Sequence, residues 1–141
     1  MINPQASDLA RVPLFEGVSN DQLEDLARHF EVNEYQAGAK PAREGEHGYA
    51  FFVLAEGSAH AEHNGHLLEQ FVPGSVFGEM AFFEKDSHRT ATVVADTPIR
   101  VFSMFGTDFR NVQLHLPEVA ARLEQLFTER HARSEAVDHE G

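Results

Sequence analysis

The chain has no cysteine, no long apolar run and few basic residues, and each shortage excludes a class of function. Without cysteine there is no disulfide framework, no thiolate metal site and no cysteine nucleophile. No stretch approaches the roughly 18 apolar residues of a membrane-spanning helix. The N-terminal MINPQASDLARVPL has no charged segment followed by an apolar core, so it does not read as a secretory signal. The expected setting is the cytoplasm, with no membrane partner. Lys and Arg total 11 against 23 Asp and Glu, a formal net charge of −12. Nucleic-acid affinity rests on Lys and Arg neutralising phosphates, so direct DNA or RNA binding is not expected. A small anion is a different matter, because global repulsion is screened beyond roughly 8 Å at physiological salt and a local group of donors can overcome it. At 141 residues the simplest organisation is one domain over 1–141 with a real core.

Ser7-Asp8-Leu9-Ala10 suits a short helical turn ahead of Pro13. A better start signal follows, with Ser19 as N-cap and Gln22 reaching back to it, before Leu23, Leu26, Ala27 and Phe30 at helical spacing. That apolar stripe is expected to pack on a sheet. Strands are expected at 30–33, 50–54, 57–63, 66–71, 91–95 and 99–102, and Asn64-Gly65 predicts a two-residue hairpin turn. Short strands with frequent turns indicate an antiparallel roll or sandwich. Thr107-Asp108 is expected to cap a helix carrying Phe109 and Val112. Pro117 fits the first position of a last helix, which runs through Val119, Ala120, Leu123, Leu126 and Phe127 and loses its apolar stripe near Arg130. The boundaries expected are N-terminal helices over about 7–30, a roll over about 30–103, C-terminal helices over about 107–133 and a polar, frayed tail over 134–141.

Within this frame Phe77-Gly78-Glu79-Met80-Ala81-Phe82-Phe83, followed by Arg89-Thr90-Ala91, reads as a phosphate holder. Gly78 lets the backbone turn with no side chain in the way, and one helical turn after it can converge N–H groups on an anion. Arg89 brings charge and planar donors suited to phosphate oxygens. Glu79 repels an anion, and makes sense if the ligand also carries a hydroxyl that must be accepted, as a ribose 2′-OH must. The block FGEMAFFEKDSHRTAT resembles the phosphate-binding cassette of cyclic nucleotide-binding domains, found in the bacterial catabolite activator protein, kinase regulatory subunits and nucleotide-gated channels. The resemblance covers about 14–133 and includes turn glycines at Gly38, Gly45, Gly57 and Gly74. It implies a mainly β, α+β fold, an antiparallel β-roll (a jelly-roll-like double-stranded β-helix) flanked by helices. It also implies that Glu79 holds the ribose 2′-OH, Arg89 pairs with the cyclic phosphate and Thr90 adds a phosphate contact. The ligand-binding set is then Phe77, Gly78, Glu79, Met80, Ala81, Arg89, Thr90 and Ala91. His88 departs from the family, where kinase and channel relatives often have proline.

Each site has a plainer alternative. The cassette residues can form a surface turn with Glu79 and Arg89 pairing across it, but six matching residues at family spacing favour the cassette. Leu126, Phe127 and His131 are candidates to cover the purine, and equally candidates to dock the last helix or form a dimer seam. Ser134 falls where the bacterial activator places a hydroxyl near the base. His60, His63 and His66 invite a metal, but His60 and His63 point to opposite faces of one strand, so no metal is expected and a solvated hairpin face is the better reading. Phe51-Phe52 and Phe82-Phe83 are expected in the core rather than as base platforms. No nucleophile and base can be assembled into a catalytic group, so an enzyme is not expected.

The expected function is a cyclic nucleotide sensor, taking cAMP in preference to cGMP and needing no cofactor. Binding would move the last helix and signal to a protein effector or homodimer partner. A scaffold domain that ignores nucleotides, and a metal-dependent cupin-like enzyme, are the alternatives.

Overall fold

Adjacent strand residues face opposite sides, and that alternation divides the apolar side chains into two cores. The computed structural model describes residues 2–46, 48, 50–83 and 91–140, without the side chains at 80, 81 and 138–140. Helix α1 (Ala6–Leu9), a 3-10 turn (Pro13–Phe15) and α2 (Asn20–Ala27) lead into strands β1 (Glu31–Tyr35), β2 (Ala50–Glu56), β3 (Ala59–His63), β4 (His66–Phe71) and β5 (Val76–Phe77). A short α3 (Met80–Phe83) precedes β6 (Thr92–Ala95), β7 (Ile99–Phe105), α4 (Gly106–His115) and α5 (Pro117–Glu140).

The strands form a four-stranded sheet in the order β1-β7-β2-β5 and a three-stranded sheet in the order β4-β3-β6, antiparallel throughout. This is the antiparallel β-roll with flanking helices that the sequence implies. Phe52, Leu54 and Val101 from one sheet meet Ala59, Phe71 and Val93 from the other in the inner core. Phe51, Val53, Phe102 and Met104 face the other way and meet Phe15, Leu26, Phe30, Phe109 and Leu123 of the helical layer. The two phenylalanines at 51 and 52 are therefore both core residues, on opposite faces.

Local signals formed as expected where they are self-contained. Ser19 and Gln22 make a reciprocal capping box, with Gln22 N donating to Ser19 Oγ at 3.2 Å and Ser19 N to Gln22 Oε1 at 3.3 Å. Asn64 and Gly65 both have positive φ, 51° and 79°, which gives the tight turn that pairs His63 with His66. Gly57 sits at φ 91°, where an added Cβ would lie 2.4 Å from the carbonyl oxygen of Pro98. Pro117 opens α5, and Arg122 ties that helix to the N-terminal turn by donating Nη1 to the carbonyls of Leu14 and Glu16 at 3.0 and 2.7 Å.

Three expectations are corrected. The tail does not fray at Ser134: α5 continues to Glu140, Ser134 is buried, and His131 and Glu135 pair at 3.1 Å one turn apart. Ala, Arg and Glu are good helix formers, and their propensity outweighs the loss of an apolar stripe. Thr107 and Asp108 do not cap α4, which begins at Gly106 with Phe105 as N-cap; the Asp108 carboxylate instead bonds His29 Nδ1 at 3.1 Å. The hairpin face is not uniformly solvated. His66 is exposed, but His60 is drawn against Asp96 at 2.7 Å and Glu62 at 3.2 Å, and His63 against Glu44 at 3.5 Å.

Candidate functional site

Glu79 is held between two aromatic anchors. Before it, Phe77 stacks with Phe52 and Phe71 at 5.0 and 5.3 Å in the inner core. After it, Phe82 meets Phe51 edge-on at 5.5 Å and stacks on Phe109 at 4.9 Å in the outer core. Gly78, at φ 86°, makes the turn between them, and Phe82 N donates to Glu79 O at 2.9 Å to close one helical turn. The Glu79 side chain is thereby directed inward and is only 1% exposed.

A buried carboxylate needs a partner. It comes from α5, where Arg130 Nη1 donates to Glu79 Oε1 at 2.5 Å. One edge of the guanidinium is taken by Glu69 on β4, with Nε on Oε1 and Nη2 on Oε2, each at 3.0 Å. Arg133 adds a third donor to Glu69, Nη1 to Oε1 at 3.0 Å, and the Arg130 guanidinium lies 5.3 Å from the Phe71 ring centroid. These groups, with Ala42, Ala61, Ala91 and Val93 opposite, line a cavity of about 40 Å³. That is well under the roughly 300 Å³ at which small-molecule pockets begin. α5 contributes Arg130 and Arg133 to that lining.

Of the residues expected here, Phe77, Gly78, Glu79 and Ala91 line this cavity. Met80 and Ala81 open α3 beside it. Arg89 and Thr90 lie outside the described residues. Leu126 packs against the helix-side core, Phe127 lies 5.4 Å from Phe83, and His131 stacks on Phe127 at 5.5 Å. None of these three is among the lining residues, where α5 contributes Arg130 and Arg133 instead. Ser134 is buried, and its Oγ has no hydrogen-bond partner among the described residues.

Sequence reasoning missed Glu69, Arg130 and Arg133. One signal was present: Val119, Leu123, Arg130 and Ser134 share a helical stripe and all are buried, so the inward face does not end at Arg130 but turns polar. A cation on an inward stripe requires carboxylate partners.

Residues 32–115 match the family model of the cyclic nucleotide-binding domain. The chain belongs to the cyclic nucleotide-binding domain family. It is 34% identical over 120 residues to glutaminase 1 of Bradyrhizobium diazoefficiens, covering 84% of this chain and 19% of that protein. It is 33% identical over 122 residues to a cyclic nucleotide-gated potassium channel of Rhizobium etli, covering 86% of this chain and 34% of the channel. The chain thus spans about a third or less of these relatives' length. Among solved structures, the catabolite activator protein of Thermus thermophilus superposes with a TM-score of 0.75 at 26% identity, covering 88% of this chain and 60% of that one. A cAMP-bound PfPKA-R shares the fold at a TM-score of 0.85 and 22% identity, over 94% of this chain and 46% of that one.

In this cyclic nucleotide-binding domain the charges at the cavity are mutually fixed. Burial opposes the Arg130 charge, but the carboxylates of Glu79 and Glu69 more than offset it and hold the guanidinium above its ordinary range. Burial likewise pushes the Glu69 carboxyl up, and the hydrogen bonds and charge of Arg130, joined by Arg133, bring it below the usual carboxylate range. No helix is long and apolar enough to cross a membrane among the described residues, and no group of three or more His, Asp or Glu is arranged to hold a metal ion there.

Proposed function

We propose that this domain is a cyclic nucleotide sensor that takes cAMP in preference to cGMP and reports occupancy through α5. The observation that carries the proposal is Glu79: a buried carboxylate at the family's cassette position, lining a cavity to which α5 contributes Arg130 and Arg133. Glu79 accepts the ribose 2′-OH, Arg89 pairs with the cyclic phosphate, and Thr90 and the backbone amides near Gly78, Met80 and Ala81 complete the phosphate shell. Phe77 and Ala91 shape the walls of that shell. A cAMP-binding acyltransferase of Mycobacterium smegmatis, 30% identical over 86% of this chain with a TM-score of 0.67, supports cAMP as the ligand.

The narrow cavity supports the conformational part. A nucleotide needs more space than this cavity leaves, so binding must shift α5 and move Arg133, the more exposed of its two arginines, while Arg130 keeps its buried pairing with Glu79 and Glu69. Leu116, at φ −134° and ψ 63°, interrupts the helical path between α4 and α5 and is the natural pivot. Leu126, Phe127 and His131 move with α5 and come to the purine only if the helix rotates. The output passes from α5 to a protein effector or a second copy, with no chemistry catalysed by this domain.

Calorimetric titration with cAMP and cGMP tests the reading, with Arg89→Ala as control. A hydrogen bond to a charged group contributes roughly 1.5–3 kcal/mol, so Arg89→Ala should weaken binding about ten- to over a hundredfold. Absence of binding by either nucleotide would leave a scaffold domain. Amide exchange in α5 that is identical with and without saturating cAMP would remove the helix movement while leaving the binding.

A further inference from the structure

Glu69 stands outside the cassette, on the wall of the same cavity, and fixes the group that engages Glu79. The geometry points to Glu69 as a positioning residue that sets selectivity for the ribose hydroxyl. The inference rests on the nucleotide reading above and adds a residue to it.

A guanidinium presents five N–H groups in fixed directions within one plane. Glu69 takes the Nε and Nη2 edge with both carboxylate oxygens at 3.0 Å, a side-on fork that removes rotation of the plane. The Phe71 ring supports the group at 5.3 Å, and Arg133 holds Glu69 itself from one turn along α5. With one edge fixed, Nη1 is held in place, and one of its two N–H groups meets Glu79 Oε1.

The consequence lies on the other oxygen. Glu79 Oε2 has no hydrogen-bond partner among the described residues, on a carboxylate that lines the cavity beside Gly78 and Ala91. It is the acceptor left for a ligand hydroxyl. If Glu69 is removed, Nε and Nη2 of a buried cation lose their acceptors, and the nearest replacement is Glu79. Arg130 then turns to grip both oxygens of Glu79, the same bidentate pairing it now makes with Glu69. Oε2 is consumed, and the hydroxyl finds no acceptor. Glu69 therefore keeps Arg130 to one oxygen of Glu79 and reserves the second for the ribose.

A simple tether role for Glu69 predicts something different. Loosening α5 changes the affinity of every ligand by the same factor, whereas occupying Oε2 penalises only ligands that carry the 2′-hydroxyl.

The test is calorimetric titration of wild type and Glu69→Gln with cAMP and with 2′-deoxy-cAMP. Wild type should prefer the ribonucleotide, and Glu69→Gln should lower that preference by about fivefold or more, within the range of coupling between residues of one hydrogen-bonded network. In an Arg130→Met background, Glu69→Gln should leave the preference unchanged, because the effect passes through Arg130. Should the amide variant fail to fold, Glu69→Asp keeps the charge, shortens the reach by one methylene and is expected to lower the same ratio. An unchanged ratio in the Glu69 variant, or a change that persists without Arg130, overturns the assignment. Wild type that binds neither nucleotide overturns the sensor reading and this inference together, whereas a wild-type preference that Glu69→Gln leaves intact overturns this inference alone.

Discussion

Arg130 is 8% exposed and pairs with two carboxylates on different elements, which makes it the residue whose loss the molecule should feel most. Replacement by Met keeps much of the volume but leaves Glu79 buried with no cation. Removing one partner of a buried pair costs about 3–5 kcal/mol, and Arg130→Met should lower stability in urea by that order. Adding Glu79→Gln removes the orphaned charge and should recover part of the loss. Gly57 offers a second residue-scale prediction of a different kind. Its positive φ, and a Pro98 carbonyl oxygen only 2.4 Å from where a Cβ would sit, leave no room for alanine. Gly57→Ala should destabilise by about 1–3 kcal/mol with no direct effect on the cavity, read as a lower urea midpoint at unchanged slope.

At the scale of elements, α5 carries both the packing and the site. Leu123 is fully buried in the helix-side core, so Leu123→Ala should cost about 2–5 kcal/mol and speed amide exchange along α5 before the sheets open. The same helix shows what a sequence does and does not reveal. The Ser19–Gln22 box and the Asn64-Gly65 turn were readable because every partner lies within three residues. Of the six residues whose spacing suggested a cassette, Gly78, Glu79 and Ala91 line the cavity, and Arg89 and Thr90 lie outside the described residues. Arg130 and Glu69 were not readable, because their pairing spans 61 residues and depends on a fold being formed first. Strand β5 was missed for the opposite reason: two residues carry no period, and Val76 and Phe77 pair only because β2 is already in place. The extent of α5 was underestimated because the apolar stripe was followed to its end, while the buried polar stripe continued to Ser134.

For the whole molecule, two titrating groups pull stability in opposite directions with pH. Glu69 has a depressed folded value, so its contribution is complete above the ordinary glutamate value of about 4.3 and is lost as pH falls through the folded value. His60 is the reverse case. Burial lowers it, the carboxylates of Asp96 and Glu62 raise it by more, and the net shift is upward. Its contribution is complete below about 6.5 and is lost as pH rises through the raised value. Urea melts across the pH range should therefore show the acid loss disappear in Glu69→Gln and the alkaline loss disappear in His60→Ala, each with the other limb intact. The net charge of −12 adds a background self-repulsion, so moderate salt should raise stability near neutral pH without altering which limb belongs to which residue.

The 24 residues of α5 make a rod about 36 Å long at 1.5 Å per residue, anchored near Leu116 at one end. Leverage follows from that length. A pivot of about 10° at the anchored end sweeps the far end through about 6 Å, more than the rise of a full helical turn. On the sensor reading proposed above, a partner that reads the last turn of α5 would receive the largest step the helix can make, and the arginines part-way along the rod would set how much of that sweep is released.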